Sequence, residues 1–193
     1  MAFSVNQFRS RLQRDGARPN LFEVTMNFPA TGVIPNSGAT TEEFTFMCKT
    51  AQLPGASMGS VVIPYFGREV KFVGNRVFAD WTVTIINDED FLIKNGFERW
   101  LGGMNSHVGN RRNLAFASPT SYTSDANVVQ FGKTGDVIKN YQFVGMFPID
   151  VSPIDVDWGS NDTIEEFTVT FQYQYWLSNT TDATARPATR RSP

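Results

Sequence analysis

Residues 75–89 read NRVFADWTVTIINDE, and this stretch constrains the fold more than any other. Trp81, Val83 and Ile85 alternate with Thr82 and Thr84, which is the two-residue period of a half-buried strand. The run ends in Asn87-Asp88-Glu89-Asp90. Asn or Asp is a good N-cap, and carboxylates suit the first turn of a helix. Ile93, Phe97, Trp100, Leu101 and Met104 then recur at helical spacing, and Gly102-Gly103 predicts the stop. A threonine-laddered strand therefore feeds a short amphipathic helix.

The rest of the chain reads mainly as strands. Asn6–Arg14 is a candidate short helix, ended by Gly16 and Pro19. Leu21–Phe28 alternates and predicts a strand, Pro29–Thr41 predicts a long loop, and Phe44–Thr50 predicts a second strand. Leu53–Gly59 reads as a loop carrying Met58, with strand pieces after it at Val61–Pro64 and Glu69–Val73 around Tyr65-Phe66-Gly67. Residues 105–125 are polar and irregular. Asn127–Phe131 and Val137–Val144 are expected strands joined by a Gly132–Gly135 turn. Pro148 and Pro153 interrupt the next stretch, and Ile164–Trp176 is expected to be the longest strand. The pattern is all-β with one principal helix, a sandwich or barrel in a single core.

A chain of 193 residues, 41% hydrophobic with 17 Phe, can fill one sizeable core. No apolar run reaches the roughly 18 residues that span a bilayer, so no membrane anchor is expected, and Met1–Arg11 lacks the apolar stretch of a signal peptide. Cys48 is the only cysteine, which excludes an intramolecular disulfide. The net charge of −2 is unevenly placed. Arg9, Arg11, Arg14 and Arg18 against Asp15 give residues 1–19 a charge of +3. Arg186, Arg190 and Arg191 against Asp182 give residues 179–193 a charge of +2, leaving −7 on the body. A duplex-DNA binder would show the reverse, with a basic stripe on the folded part. Basic arms meeting acidic bodies of neighbouring copies fit the pattern; so do two frayed, solvated ends.

Catalytic chemistry is poorly provided for. His107 and Cys48 are the only residues of their types, and nothing brings a loop imidazole to a strand thiol. Zinc would need more Cys or His. Gly132-Lys133-Thr134 lacks the first glycine of a phosphate loop, since Asn127 holds that position. Asp150, Asp155, Asp157, Asp162, Glu165 and Glu166 cluster without EF-hand spacing and read as a solvated acidic surface. We expect no enzyme activity, no cofactor and no metal.

The last strand carries Phe167, Val169, Phe171, Tyr173 and Tyr175 on one face, with Glu166, Thr168, Thr170, Gln172, Gln174 and Trp176 on the other. This segment and the strand around Trp81 lack Lys and Pro, the residues that usually guard free edges. They would be protected if neighbouring subunits paired their edges, or if the edges of an ordinary sandwich lay elsewhere.

Several blocks resemble the tail tube proteins of T4-like contractile-tailed phages. They are Ala17–Phe22, Phe44–Pro54, Gly74–Arg76, the 75–89 stretch, Gly145–Pro148 and Val156–Asn161 ahead of Ile164–Trp176, in the family's order. The resemblance implies a β-sandwich or barrel whose strands join across six subunits into a ring-shaped barrel. Rings would stack into a tube, a virion component assembled in the host cytoplasm. It would partner sheath, baseplate, tail terminator and tape measure proteins and pass DNA without binding it specifically. On this reading Leu53, Pro54 and Met58 make subunit contacts. Thr82, Thr84, Thr168, Thr170, Gln172 and Gln174 face the lumen, where uncharged polar side chains neither trap phosphate nor expose an apolar wall. The implied organisation is an arm at 1–20, a tube domain at 21–178 and a flexible tail at 179–193. Two alternatives remain: the tube of a type VI-like secretion or extracellular contractile injection system, and, from another class, a carbohydrate-binding β-sandwich.

Overall fold

The computed structural model describes residues 4–12, 14 and 16–181. Residues 1–3 of the expected arm and 182–193 of the expected tail lie outside them. In chain order the elements are α1 (Val5–Arg11), β1 (Phe22–Met26), α2 (Ser37–Met47), β2 (Cys48–Ala51), β3 (Ala56–Tyr65), β4 (Arg68–Phe78), β5 (Trp81–Ile86), α3 (Leu92–Met104), α4 (Pro119–Tyr122), β6 (Ser124–Phe131), β7 (Val137–Val151), β8 (Glu166–Gln172) and β9 (Tyr175–Ser178).

Seven strands pair in the order β1-β6-β7-β8-β5-β2, with β9 also on β7, and β3 and β4 form a separate hairpin. Every pairing is antiparallel. β7 belongs to two sheets: residues 137–146 pair with β6 and 141–144 with β9, whereas 147–151 pair with β8. Gly145, at φ +65°, sits at the changeover. The sheet does not close on itself, and β1 and β2 are its ends.

The core lies between these sheets and α3. Trp81, Val83 and Ile85 point into it, as the alternation predicts, and so do Phe167, Val169 and Phe171 of β8. Ile93, Phe97 and Trp100 line one side of α3 and are buried, at the spacing of an apolar helical stripe. Trp81 stacks on Phe143 at 4.4 Å between centroids, and Phe28 meets Phe97 at 4.9 Å. Both buried indoles are satisfied. Trp81 Nε1 donates to Gln52 O and Trp100 Nε1 to Tyr122 O, each at 2.8 Å.

Several expectations need correction. Phe44–Met47 is helical, and α2 begins at Ser37 inside the expected loop. The threonines reconcile a strand-like composition with a helix: the Thr40, Thr41 and Thr45 hydroxyls each donate to the carbonyl four residues back. Thr40 and Phe44 bury one side of the helix.

Asn87–Asp90 do not cap α3. Phe91, in the left-handed region at φ 51°, precedes it, and its first turn holds no acid. Asn87 instead prolongs β5, its backbone N–H donating to Glu165 O at 2.9 Å and its side chain to the Glu165 carboxylate at 3.1 Å. Nor does Gly102-Gly103 end α3, which continues to Met104. Gly103 is there for packing: a Cβ on it would lie 2.5 Å from the Phe116 ring.

Pro148 does not break β7; it sits where the register with β8 shifts. Ile164–Trp176 is not one strand. The chain leaves β8 after Gln172 and crosses to the other sheet as β9, so β7, at 15 residues, is the longest strand.

Candidate functional site: a threonine face and a projecting hairpin

β5 and β8 lie side by side with Thr82 opposite Thr170 and Thr84 opposite Thr168. Since their neighbours point into the core, these four threonines share the other face, half-buried. The register extends the rows. Thr50 of β2 lies opposite Thr84, and Asp150 of β7 opposite Thr170. The Ser152 hydroxyl accepts from the Thr168 N–H at 2.9 Å. The result is a patch of hydroxyls with one carboxylate, bounded by the Lys49–Glu166 ion pair. Gln172 is exposed at the end of the β8 row, opposite Phe147.

Gln174 departs from this pattern. It lies in the break between β8 and β9, where its N–H donates to Val144 O at 3.0 Å and its side chain fills the space beside Gly145. Thr50, Asp150 and Ser152 were not among the expected residues. Their part in the face comes from pairing between segments far apart in sequence, which no local pattern carries.

β5 and β8 are interior strands, each paired on both sides. Their lack of Lys and Pro therefore does not mark unguarded edges. The strands paired on one side only are β1 and β2 at the ends of the sheet, β9 against β7, and the two strands of the hairpin.

The hairpin is the second surface. Its strands pair from Ala56–Phe78 to Tyr65–Arg68. Phe66 at φ 47° and Gly67 at φ 81° make the tip, a two-residue turn of the kind whose twist suits a hairpin. Gly74 is required for close approach, since a Cβ there would lie 2.9 Å from the Gly59 backbone. Val61, Ile63, Phe72, Val73 and Val77 are all exposed, and Phe66 is 91% exposed. Every residue of β3 is exposed, and so is nearly all of β4.

The expected loop Leu53–Gly59 is shorter than anticipated, because β3 begins at Ala56. Met58 is therefore a strand residue, opposite Arg76 and 53% exposed. Leu53 and Pro54 lie in the crossing that leads to the hairpin, Leu53 exposed and Pro54 half-buried. Two indoles hold this crossing: Trp81 donates to Gln52 O and Trp176 to Gly55 O.

Burial pushes the Cys48 thiol up to about 12. Burial, aided by Asp80, also raises Tyr173. Among the described residues no three His, Cys, Asp or Glu side chains converge to hold a metal, and no helix is long and apolar enough to cross a membrane.

Comparison with known proteins agrees with this architecture. The phage tail tube protein family matches residues 17–179. The tail tube protein gp19 of Enterobacteria phage T4 is 30% identical over 163 residues, 84% of this chain and 91% of that protein. The tail tube protein of Serratia phage KSP90 is 27% identical over 172 residues, 88% of this chain and 94% of that protein. A chain of the anti-feeding prophage baseplate superposes with a TM-score of 0.60 at 14% identity, covering 84% of this chain and 94% of its own. A chain of an extracellular contractile injection system's sheath–tube complex gives 0.56 at 13% identity, covering 92% and 98%.

Proposed function

As the chain belongs to the phage tail tube protein family, a structural and non-enzymatic one, we propose that its copies close into sixfold rings that stack as the inner tube of a contractile tail. The protein is a virion component. The observation that carries the assembled form is the bare hairpin. A two-stranded ribbon is marginal in water on its own, and exposed apolar strands invite aggregation. β3 and β4 become explicable if a neighbouring copy covers them. The open edges of β1 and β2 are compatible with strands continuing from subunit to subunit.

In this reading the threonine face, with Gln172, lines the channel. Hydroxyls hydrate the wall without holding phosphate, and the acidic body repels DNA. Gln174, off the β8 row, stands at the margin of that wall. Met58 and the Leu53-Pro54 crossing meet a neighbouring subunit. Sheath, baseplate and terminator are the outer partners, and the lumen holds first a tape measure protein and then passing DNA. The tube domain spans 21–178 between an arm and a tail.

The family match displaces the carbohydrate-binding alternative. It also favours a phage tail over an injection machine, since the injection-system chains are alike in fold at 13–14% identity whereas the phage protein is 30% identical. Negative-stain microscopy of the purified protein, alone and with baseplate, tests the proposal. Hollow rings or tubes are expected; a compact monomer with baseplate present would overturn it.

A further inference from the structure

We infer that α1 of one copy docks on the 153–165 loop of a neighbouring copy; this rests on the tube reading above. α1 has seven residues and buries none of them. Isolated helices shorter than about 12 residues are marginal in water, so α1 needs a surface to pack on. At 100° per residue Val5, Phe8 and Leu12 form one stripe, with Arg9 and Arg11 flanking it and Asn6, Gln7 and Ser10 opposite. The stripe is open to solvent, with Phe8 66% exposed.

The loop after β7 offers the complement. Val156, Trp158 and Ile164 are exposed, Trp158 fully. Val156 and Ile164 line a groove of about 360 Å³ beside Asp155 and Asp157. No Lys or Arg occurs from Asn140 to Ala185. Each patch is thus apolar at its centre and charged around it, with opposite signs. Opposed apolar centres supply affinity, and opposed charges set register and exclude wrong partners.

Geometry selects a second copy over the same chain. Arg14 pairs with Asp136, just before β7, which tethers the arm at that end. The loop starts at the other end of a 15-residue strand. Even with a right-angle bend at Gly145 those ends are roughly 30 Å apart at about 3.3 Å per residue. In this structure α1 buries no residue and Val156, Trp158 and Ile164 are exposed, so the helix and loop of one chain do not cover each other and each is free to meet a neighbour's.

Cross-linking in mixed tubes tests this. In a Cys48→Ser background, one chain carries Asn6→Cys, on the side of the short helix turned away from the stripe, and another Ser160→Cys in the loop, so that neither thiol disturbs the apolar contact that a linker would bridge. The two are co-assembled on baseplate and treated with a short bismaleimide. A covalent dimer of the two chains is expected from tubes and not from unassembled subunits. Arg9→Glu with Arg11→Glu on the first chain should cut its yield several-fold, and Asp155→Lys with Asp162→Lys on the second should restore it. Tubes without the mixed dimer, a dimer indifferent to those charges, or a link formed within one doubly substituted chain would each overturn the docking and leave the tube reading standing. If the Cys48→Ser parent forms no tubes and the unsubstituted protein with baseplate also forms none, the tube reading fails and the docking with it.

Discussion

The hydroxyls of Thr82 and Thr170 lie 3.2 Å apart across two interior strands, one donating to the other. Each keeps further hydrogen-bonding capacity for solvent. In the proposed channel such pairs are wet, carry no charge of their own and are indifferent to a passing polyanion. Gln172 lies on the same β8 row, which makes it the place to break that indifference. Gln172→Lys would put a ring of cations at each layer of a sixfold tube. Phosphate contacts release counterions, so they weaken as salt rises. Mutant particles are expected to eject DNA slowly at low salt and to recover at high salt. Unchanged ejection at every salt concentration would place Gln172 away from the channel.

Met58→Asp addresses the hairpin. Met58 is already half-covered, so burying the remainder in a neighbour is worth about 1 kcal/mol per copy, repeated along the tube. Circular dichroism should find the subunit folded as before, while microscopy finds tubes shortened or absent. Tubes of normal length would remove Met58 from the contact.

Gly102 and Gly103 are adjacent in α3 yet should respond oppositely to alanine. A Cβ at Gly103 meets the Phe116 ring at 2.5 Å and Val33 at 2.9 Å, whereas at Gly102 the nearest atom is 3.8 Å away, on exposed His107. Gly103→Ala should cost about 1–3 kcal/mol through overpacking. Gly102→Ala should gain up to about 1 kcal/mol of helix propensity. Urea unfolding of the two variants checks the sign of each.

Cys48 gives a pH dependence. Burial pushes its thiol from the ordinary 9.0 up to about 12, so the folded state holds the proton more tightly. On this account stability is level below pH 9.0 and falls as pH climbs from there toward about 12. Cys48→Ser should flatten that decline. At pH 8 a thiol reagent should label the folded protein slowly and the urea-unfolded protein at once; fast labelling of the folded form would mean that the thiol is open to solvent.

Local periodicity controls the part of the fold that was legible in the sequence. β5 declared itself because Trp81, Val83 and Ile85 obey a period of two, and α3 because Ile93, Phe97 and Trp100 obey the helical one. α2 was illegible because Thr-Thr-Glu-Glu-Phe-Thr-Phe suits a strand, and only hydroxyl bonds back along the helix, with Thr40 and Phe44 buried, decide otherwise. The β8–β9 crossing was hidden because Gln-Tyr-Gln-Tyr-Trp keeps alternating through it. The two strands of the hairpin read as short pieces about Tyr65-Phe66-Gly67 because Gly59 and Gly74 look like punctuation, although these glycines approach each other inside one longer ribbon. Thr82, Thr84, Thr168, Thr170 and Gln172 of the polar face were visible along single strands; Thr50, Asp150 and Ser152 join it only through pairing between strands.

β7 gives its first half to one sheet and its second half to the other. The two layers are consequently joined by an unbroken strand as well as by loops. Prising either layer away means pulling the same strand out of both. One continuous backbone therefore fixes the two layers relative to each other, which suits a subunit that, in the proposed tube, repeats in the same shape at every ring.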